Sequence, residues 1–194
     1  MANAKRTPCK SCPGGVCLVG PYEEIKEECS KKGGQAHHSP PDWTMRQGTR
    51  KKAEKAKGGS DRIFGARADG KGKKRMPSIN KGPAICLEGN PSDEQDTQHK
   101  VVHEYDSDIE SHSTPNIPEH TIPLEDVLNY SLASIEEVAP ECVGEVKELL
   151  EKTYNDYDKK TLVRKKKWPF QPKKPNGPRF PKETMKAWTS GQTS

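Results

Sequence analysis

Large apolar side chains are scarce in this chain. Hydrophobic residues fill 29% of its 194 positions and aromatics 6%, against ~45–50% apolar, glycine included, in ordinary globular domains. So small a supply cannot line one core along the whole length. It suits a folded unit of about 100–130 residues, with the remainder as loop, linker or tail. No apolar run approaches the ~20 residues that cross a bilayer, which excludes a membrane-spanning helix. Met1 to Lys10 carry basic residues with no apolar stretch behind them, so no secretory signal peptide is expected. No period of about 20–50 residues recurs, which argues against solenoids and propellers.

Charge is plentiful and strongly segregated. Residues 46–75 hold 12 Lys+Arg and 3 Asp+Glu, residues 88–158 hold 3 and 19, and residues 159–188 hold 11 and 1. Two basic blocks therefore flank an acidic one. Basic blocks fit a polyanion such as nucleic acid. They fit equally well as solvated tails, or as segments folded back on the acidic block.

Of the six cysteines, Cys9, Cys12, Cys17 and Cys29 crowd the start, while Cys86 and Cys142 stand alone. Without a signal peptide, disulfides are not the default. Cys9-Lys-Ser-Cys12 is half of a zinc site, and Cys17 and Cys29 are the candidates to complete four thiolates. Unligated thiols and disulfides formed after export are the alternatives.

The pattern predicts a loop over residues 1–20, then a helix from Tyr22 to Lys32 with Tyr22, Ile25 and Cys29 on one face. Gly33-Gly34 ends it, and Gln35-Ala36-His37-His38 follows as a strand-like stretch closed by Pro40-Pro41. Residues 45–75 read as a long mobile basic loop. Lys81 to Gly89 contains a short apolar strand, and Asn90-Pro-Ser-Asp93 is a turn. A helix can begin at Asp96 or Thr97. Residues 107–122 read as a Ser/Pro/His loop. Leu124–Ala139 and Cys142–Tyr157 have helical periodicity and are separated by Pro140, which predicts a helical hairpin. From Lys159 the chain reads as a basic, Pro-rich extended tail bearing Trp168 and Trp188.

Four of the six histidines fall into two groups. His99 and His103 stand at i, i+4, so a helix presents both imidazoles on one side. His37 and His38 are adjacent, so a strand points them to opposite faces. Each group alone is an ordinary surface pattern. Together they offer three imidazoles for one divalent ion with positions left open for water and phosphate, and a fourth to accept a proton. An imidazole's ordinary pKa near ~6.5 suits that work. Such a set points to a metal-dependent phosphodiester hydrolase, with the basic blocks holding the phosphate backbone. Asp42 and Asp106 are candidates to touch the metal or steady a ligand histidine. Trp43 reads as core cover or a base-stacking residue, and His112 and His120 receive no role.

Read in order, Gly34-Gln-Ala-His37-His38-Ser-Pro-Pro-Asp42, Gly82-Pro-Ala-Ile-Cys86 and Thr97-Gln-His99-Lys-Val-Val-His103 resemble the HNH / endonuclease VII superfamily. The order is most similar to the toxin nucleases of bacterial polymorphic and type VI secretion systems, with Tyr22-Glu-Glu-Ile25-Lys26 as the helix motif before the dyad. The resemblance covers residues 20–157. It implies an α+β fold: a small ββα-metal (His-Me finger) core with an added α-helical hairpin, a long basic loop, and disordered or extended termini. It implies that His37, His99 and His103 bind a divalent ion (Mg²⁺, Mn²⁺ or Zn²⁺) and that His38 is the general base. Asn90 is the choice for the motif's middle Asn, with Asn80 as runner-up.

The domains expected are a Cys-rich segment at 1–20, a nuclease core at 21–106 with a basic insert at 45–80, an acidic helical segment at 107–158 and a basic tail at 159–194. The function implied is DNA endonuclease and antibacterial toxin. Its partners would be DNA, a cognate immunity protein and a secretion-system carrier, with no membrane. The protein would be made in the producer's cytoplasm, leave by a route that reads no signal peptide and act in the target cell's cytoplasm. The alternatives are a non-enzymatic zinc-binding nucleic-acid module and a secretion-system adaptor.

Overall fold

A computed structural model describes residues 6–55, 61–90, 96–112, 116–165, 186–187, 190–191 and 193, without the side chains of 52–54. The fold is α+β, with short antiparallel sheets and helices. The chain divides into two compact units, each assembled from three stretches. One comprises Met1–Pro41, Asn80–Ser107 and Leu128–Thr153; the other comprises Asp42–Ile79, Asp108–Val127 and Tyr154–Ser194.

The first unit is built on a three-stranded antiparallel sheet ordered β1-β5-β2. β5 (Pro83–Glu88) is central and buried except for Glu88, as its unbroken Ala-Ile-Cys-Leu run requires of a strand covered on both faces. β1 (Val19–Pro21) pairs Val19 with Ile85, and β2 (Gly34–His38) pairs His37 with Ile85 and His38 with Ala84. α1 (Tyr22–Lys31) joins β1 to β2 and lies on the sheet. Leu18, Ile25, Cys29, Ala84 and Cys86 form the core there, with Tyr22 and Ala36 at its edge. Glu23 and Glu24 in the first turn and Lys31 in the last complement the helix dipole. Gly33 leaves the helix at a positive φ of 80°.

α3 (Gln98–Ser111) begins where expected, with Thr97 Oγ1 accepting from Lys100 N at 3.4 Å. It runs through the start of the stretch expected to be loop, because Val102 and Ile109 bury one face of the continuing helix. α4 (Leu124–Val138) and α5 (Val143–Tyr154) are separated by a single 3-10 turn at Pro140–Cys142, matching the expected break.

In the second unit the described part of the basic stretch is folded rather than a mobile loop. β3 (Phe64–Ala66) and β4 (Lys73–Arg75) form an antiparallel pair, preceded by α2 (Arg50–Lys55) and a 3-10 turn at Asp42–Met45. Few apolar residues suffice because Trp43, Met45, Ile63 and Met76 are all buried, while Lys73, Lys74 and Arg75 project to solvent. Lys73 and Arg75 lie over the Phe64 ring at 4.9 and 5.1 Å. The described start of the expected tail is folded, and further on Ala187 is buried and Thr193 bridges Thr161. β7 (Leu162–Arg164) pairs with β6 (Thr121–Pro123), and its three residues are buried. Trp168 and Trp188 lie outside the described residues or side chains.

This unit buries charge. Asp42 accepts from Arg46 and, at 2.6 Å, from Arg62. Arg62 and Arg164 are 1% and 0% exposed. Burial, followed by the neighbouring Arg46 charge, pushes the Arg164 guanidinium down to about 10.

Candidate metal centre

The alternation of β2 divides the histidine dyad. His37 faces α3: its ring centroid lies 5.1 Å from that of His99 and 4.9 Å from that of His103, in edge-on contacts. His38 stacks on Tyr22 of α1, with centroids 4.1 Å apart and planes inclined by 18°. One helical turn stacks His99 on His103 at 5.0 Å. One ring nitrogen from each of His37, His99 and His103 lies within 4.8 Å of the other two. His37 and His99 are each 5% exposed, so two of the three imidazoles are withdrawn from bulk water.

Neighbouring acceptors orient these rings. His99 Nδ1 is 3.3 Å from the carbonyl of Gly89, and His103 Nδ1 is 3.1 Å from Asp106 Oδ2. With Nδ1–H of His99 donated to the Gly89 carbonyl, its Nε2 keeps the lone pair that a metal needs. Asp106 Oδ2 also lies 3.9 Å from His37 Nε2. Three imidazoles with a carboxylate beside them are a donor set suited to a divalent transition ion, zinc included. The residues present therefore can bind a metal ion.

The remaining candidates separate clearly. Asn90 is exposed at the turn after β5, where its side chain accepts from Gln35. It is the preceding residue, Gly89, whose carbonyl touches the triad. Sequence reasoning missed that carbonyl; the Gly-Asn turn closing an apolar strand was its only signal. Asn80 is exposed and its carbonyl accepts from Glu23 N at 2.9 Å, at the start of α1. Asp42 is held by arginines in the second unit. Trp43 is buried at 5%. His112 and His120 lie 3.3 Å from Asp126 and 3.2 Å from Glu119.

The cysteines are in the disulfide form that the sequence left as an alternative to zinc and to free thiols. All six are paired as disulfides, Cys9–Cys12, Cys17–Cys142 and Cys29–Cys86. Cys29 joins α1 to β5 and takes no part in a group with Cys9, Cys12 and Cys17; Cys142 stands with those three instead. Cys142 is 125 residues from Cys17, so no spacing rule could have paired them.

Comparison with protein-family models, curated proteins and solved structures finds no match for this chain.

Proposed function

We propose that this chain is a metal-dependent endonuclease that hydrolyses phosphodiester bonds, with DNA as substrate, built on a ββα-metal core of β2, β5 and α3. The observation that carries the reading is the meeting of His37 from a strand with His99 and His103 from a helix, while a fourth histidine adjoins the first. A divalent ion held by the three imidazoles would supply Lewis-acid activation of the scissile phosphate. The Gly89 carbonyl orients the His99 ring, and the Asp106 carboxylate lies beside His103. His38 takes the proton of the attacking water, and its stacking on Tyr22 limits the ring to a narrow range of orientations. The exposed Lys73-Lys74-Arg75 strand supports a polyanionic substrate.

The motif order extends the reading to an antibacterial toxin that requires an immunity partner in its producer and a carrier for delivery. Expression in a bacterium tests that extension: the wild-type chain arrests growth and the His38→Ala chain does not.

The direct test is nicking of supercoiled plasmid by the purified chain with Mg²⁺, Mn²⁺, Zn²⁺ or EDTA. Metal-dependent nicking is expected, and His38→Ala should lower it by ~10²–10⁴-fold with bound metal unchanged. A folded, metal-loaded chain that cuts neither DNA nor RNA would reject the enzyme and leave a metal-binding module.

A further inference from the structure

We propose that Cys9, Cys12, Cys17 and Cys142 are a second metal site, a zinc tetrathiolate that interconverts with the two disulfides these residues form. The four sulfurs lie within 4.8 Å of one another and the residues are all buried, at 1%, 6%, 0% and 0% exposure. The two disulfides abut, with Cys12 Sγ only 3.4 Å from Cys142 Sγ. Tetrahedral zinc with Zn–S near ~2.3 Å sets its sulfurs ~3.8 Å apart, close to that spacing. Rotation of side chains, rather than movement of whole segments, separates the two states.

Backbone hydrogen bonds also set the positions of these cysteines. Cys9 N donates to Gly15 O at 3.0 Å and Gly15 N to Cys12 O at 2.9 Å, closing a tight turn. Gly14 and Gly15 sit at φ of 73° and 72°, a region open to glycine and costly for other residues. Pro8 bridges Val16, and Cys17 N donates to Thr7 O at 2.8 Å, which sets Cys17 beside the turn. Cys142 comes from the 3-10 turn between α4 and α5, its N donating to Ala139 O at 2.9 Å. Lys32 Nζ lies against the turn at Gly14, where a cation offsets part of the double negative charge of a zinc tetrathiolate. Glu141 lies 3.9 Å from Cys9 Sγ and opposes that charge.

The conversion balances with a dithiol reductant. Two dithiols deliver four electrons to the two S–S bonds and become two disulfides themselves. The four cysteine thiolates then take up one Zn²⁺, and the four protons of the dithiols go to solvent. An oxidising compartment holds the disulfide form, and a reducing, zinc-containing one holds the metal form. Either way residues 6–18 stay tied to the α4–α5 turn. Cys29–Cys86 stands outside the exchange, because neither sulfur belongs to the cluster.

The test uses the full chain, oxidised or reduced anaerobically with a dithiol, and titrated with Zn²⁺ and Co²⁺. Reduction should add one zinc per chain, and Co²⁺ should give the charge-transfer absorption of four thiolates, which the histidine centre cannot produce. Cys142→Ser should lose that equivalent and Cys86→Ser should keep it. Should Cys142→Ser fail to fold, alkylation mapping of the reduced wild-type chain decides. Zinc should shield Cys9, Cys12, Cys17 and Cys142 together and leave Cys29 and Cys86 unchanged. A reduced, folded chain that gains no zinc, or zinc that shields Cys29 in place of Cys142, would overturn the proposal. None of these readouts depends on nuclease activity.

Discussion

A single carboxylate, Asp106, lies beside two of the three imidazoles, 3.1 Å from His103 and 3.9 Å from His37. Its negative charge favours a cation held between these rings. Asp106→Asn keeps the shape and removes the charge. Metal affinity should fall ~10–100-fold, read by chelator competition, with the unfolding midpoint nearly unchanged. Loss of folding without loss of affinity would make Asp106 a structural residue. The position was legible in sequence as a candidate, because it lies three residues beyond His103 on the helix that carries both later histidines. Its approach to His37 was not, since that depends on β2 reaching α3.

Among the elements, β2 matters most to the centre, and it is seated by close packing at its first residue. A Cβ on Gly34 would lie 2.6 Å from Pro13 Cγ, 2.7 Å from Cys86 Sγ and 2.9 Å from the Leu87 carbonyl. Gly34→Ala should cost about 1–3 kcal/mol in urea unfolding, because the strand must shift off β5. Gly144, in α5, has no neighbour within 4 Å of a built Cβ. Gly144→Ala should therefore stabilise by about 0.4–1 kcal/mol through the less flexible unfolded chain. Equal effects from the two alanines would reject the packing account. Strand β4 is the converse case. Its Lys-Lys-Arg composition read as a loop, yet it is a strand because it pairs with β3, Ile63 before β3 and Met76 after β4 are buried, and Tyr157 O–H donates to the Arg75 carbonyl at 2.5 Å.

At the scale of the whole chain, charge is used in two ways. Inside the second unit it is buried and paired. Asp42 answers both Arg46 and Arg62, so Asp42→Asn leaves a fully buried guanidinium without its nearest counter-charge. The expected cost is about 3–5 kcal/mol by denaturant unfolding, and Asp42→Asn with Arg62→Met should recover much of it. A double variant as unstable as Asp42→Asn alone would mean that the pair is not the source. At the surface β4 exposes Lys73, Lys74 and Arg75, with Lys74 paired to Asp156 at 2.9 Å. Replacing Lys73, Lys74 and Arg75 with Gln should weaken DNA binding and lower the log–log salt slope by up to ~3, since each phosphate neutralised by a cation adds about 0.9 to it. An unchanged slope would remove β4 from the substrate surface.

Sequence alone determined the local elements and the donor types. The Gly-bounded helix, the apolar central strand, the Pro-broken helix pair and the i, i+4 histidines all follow from near-neighbour periodicity and backbone sterics, which act over a few residues. Period-two alternation also placed His37 and His38 on opposite faces. What tertiary structure decided was which distant residues meet. It joined His37 to His99 and His103, put Cys142 rather than Cys29 beside Cys9, Cys12 and Cys17, and turned a basic loop into a folded unit around a few buried side chains. Those outcomes depend on sheet register and helix packing between residues tens to more than a hundred positions apart, for which no local spacing carries a signal.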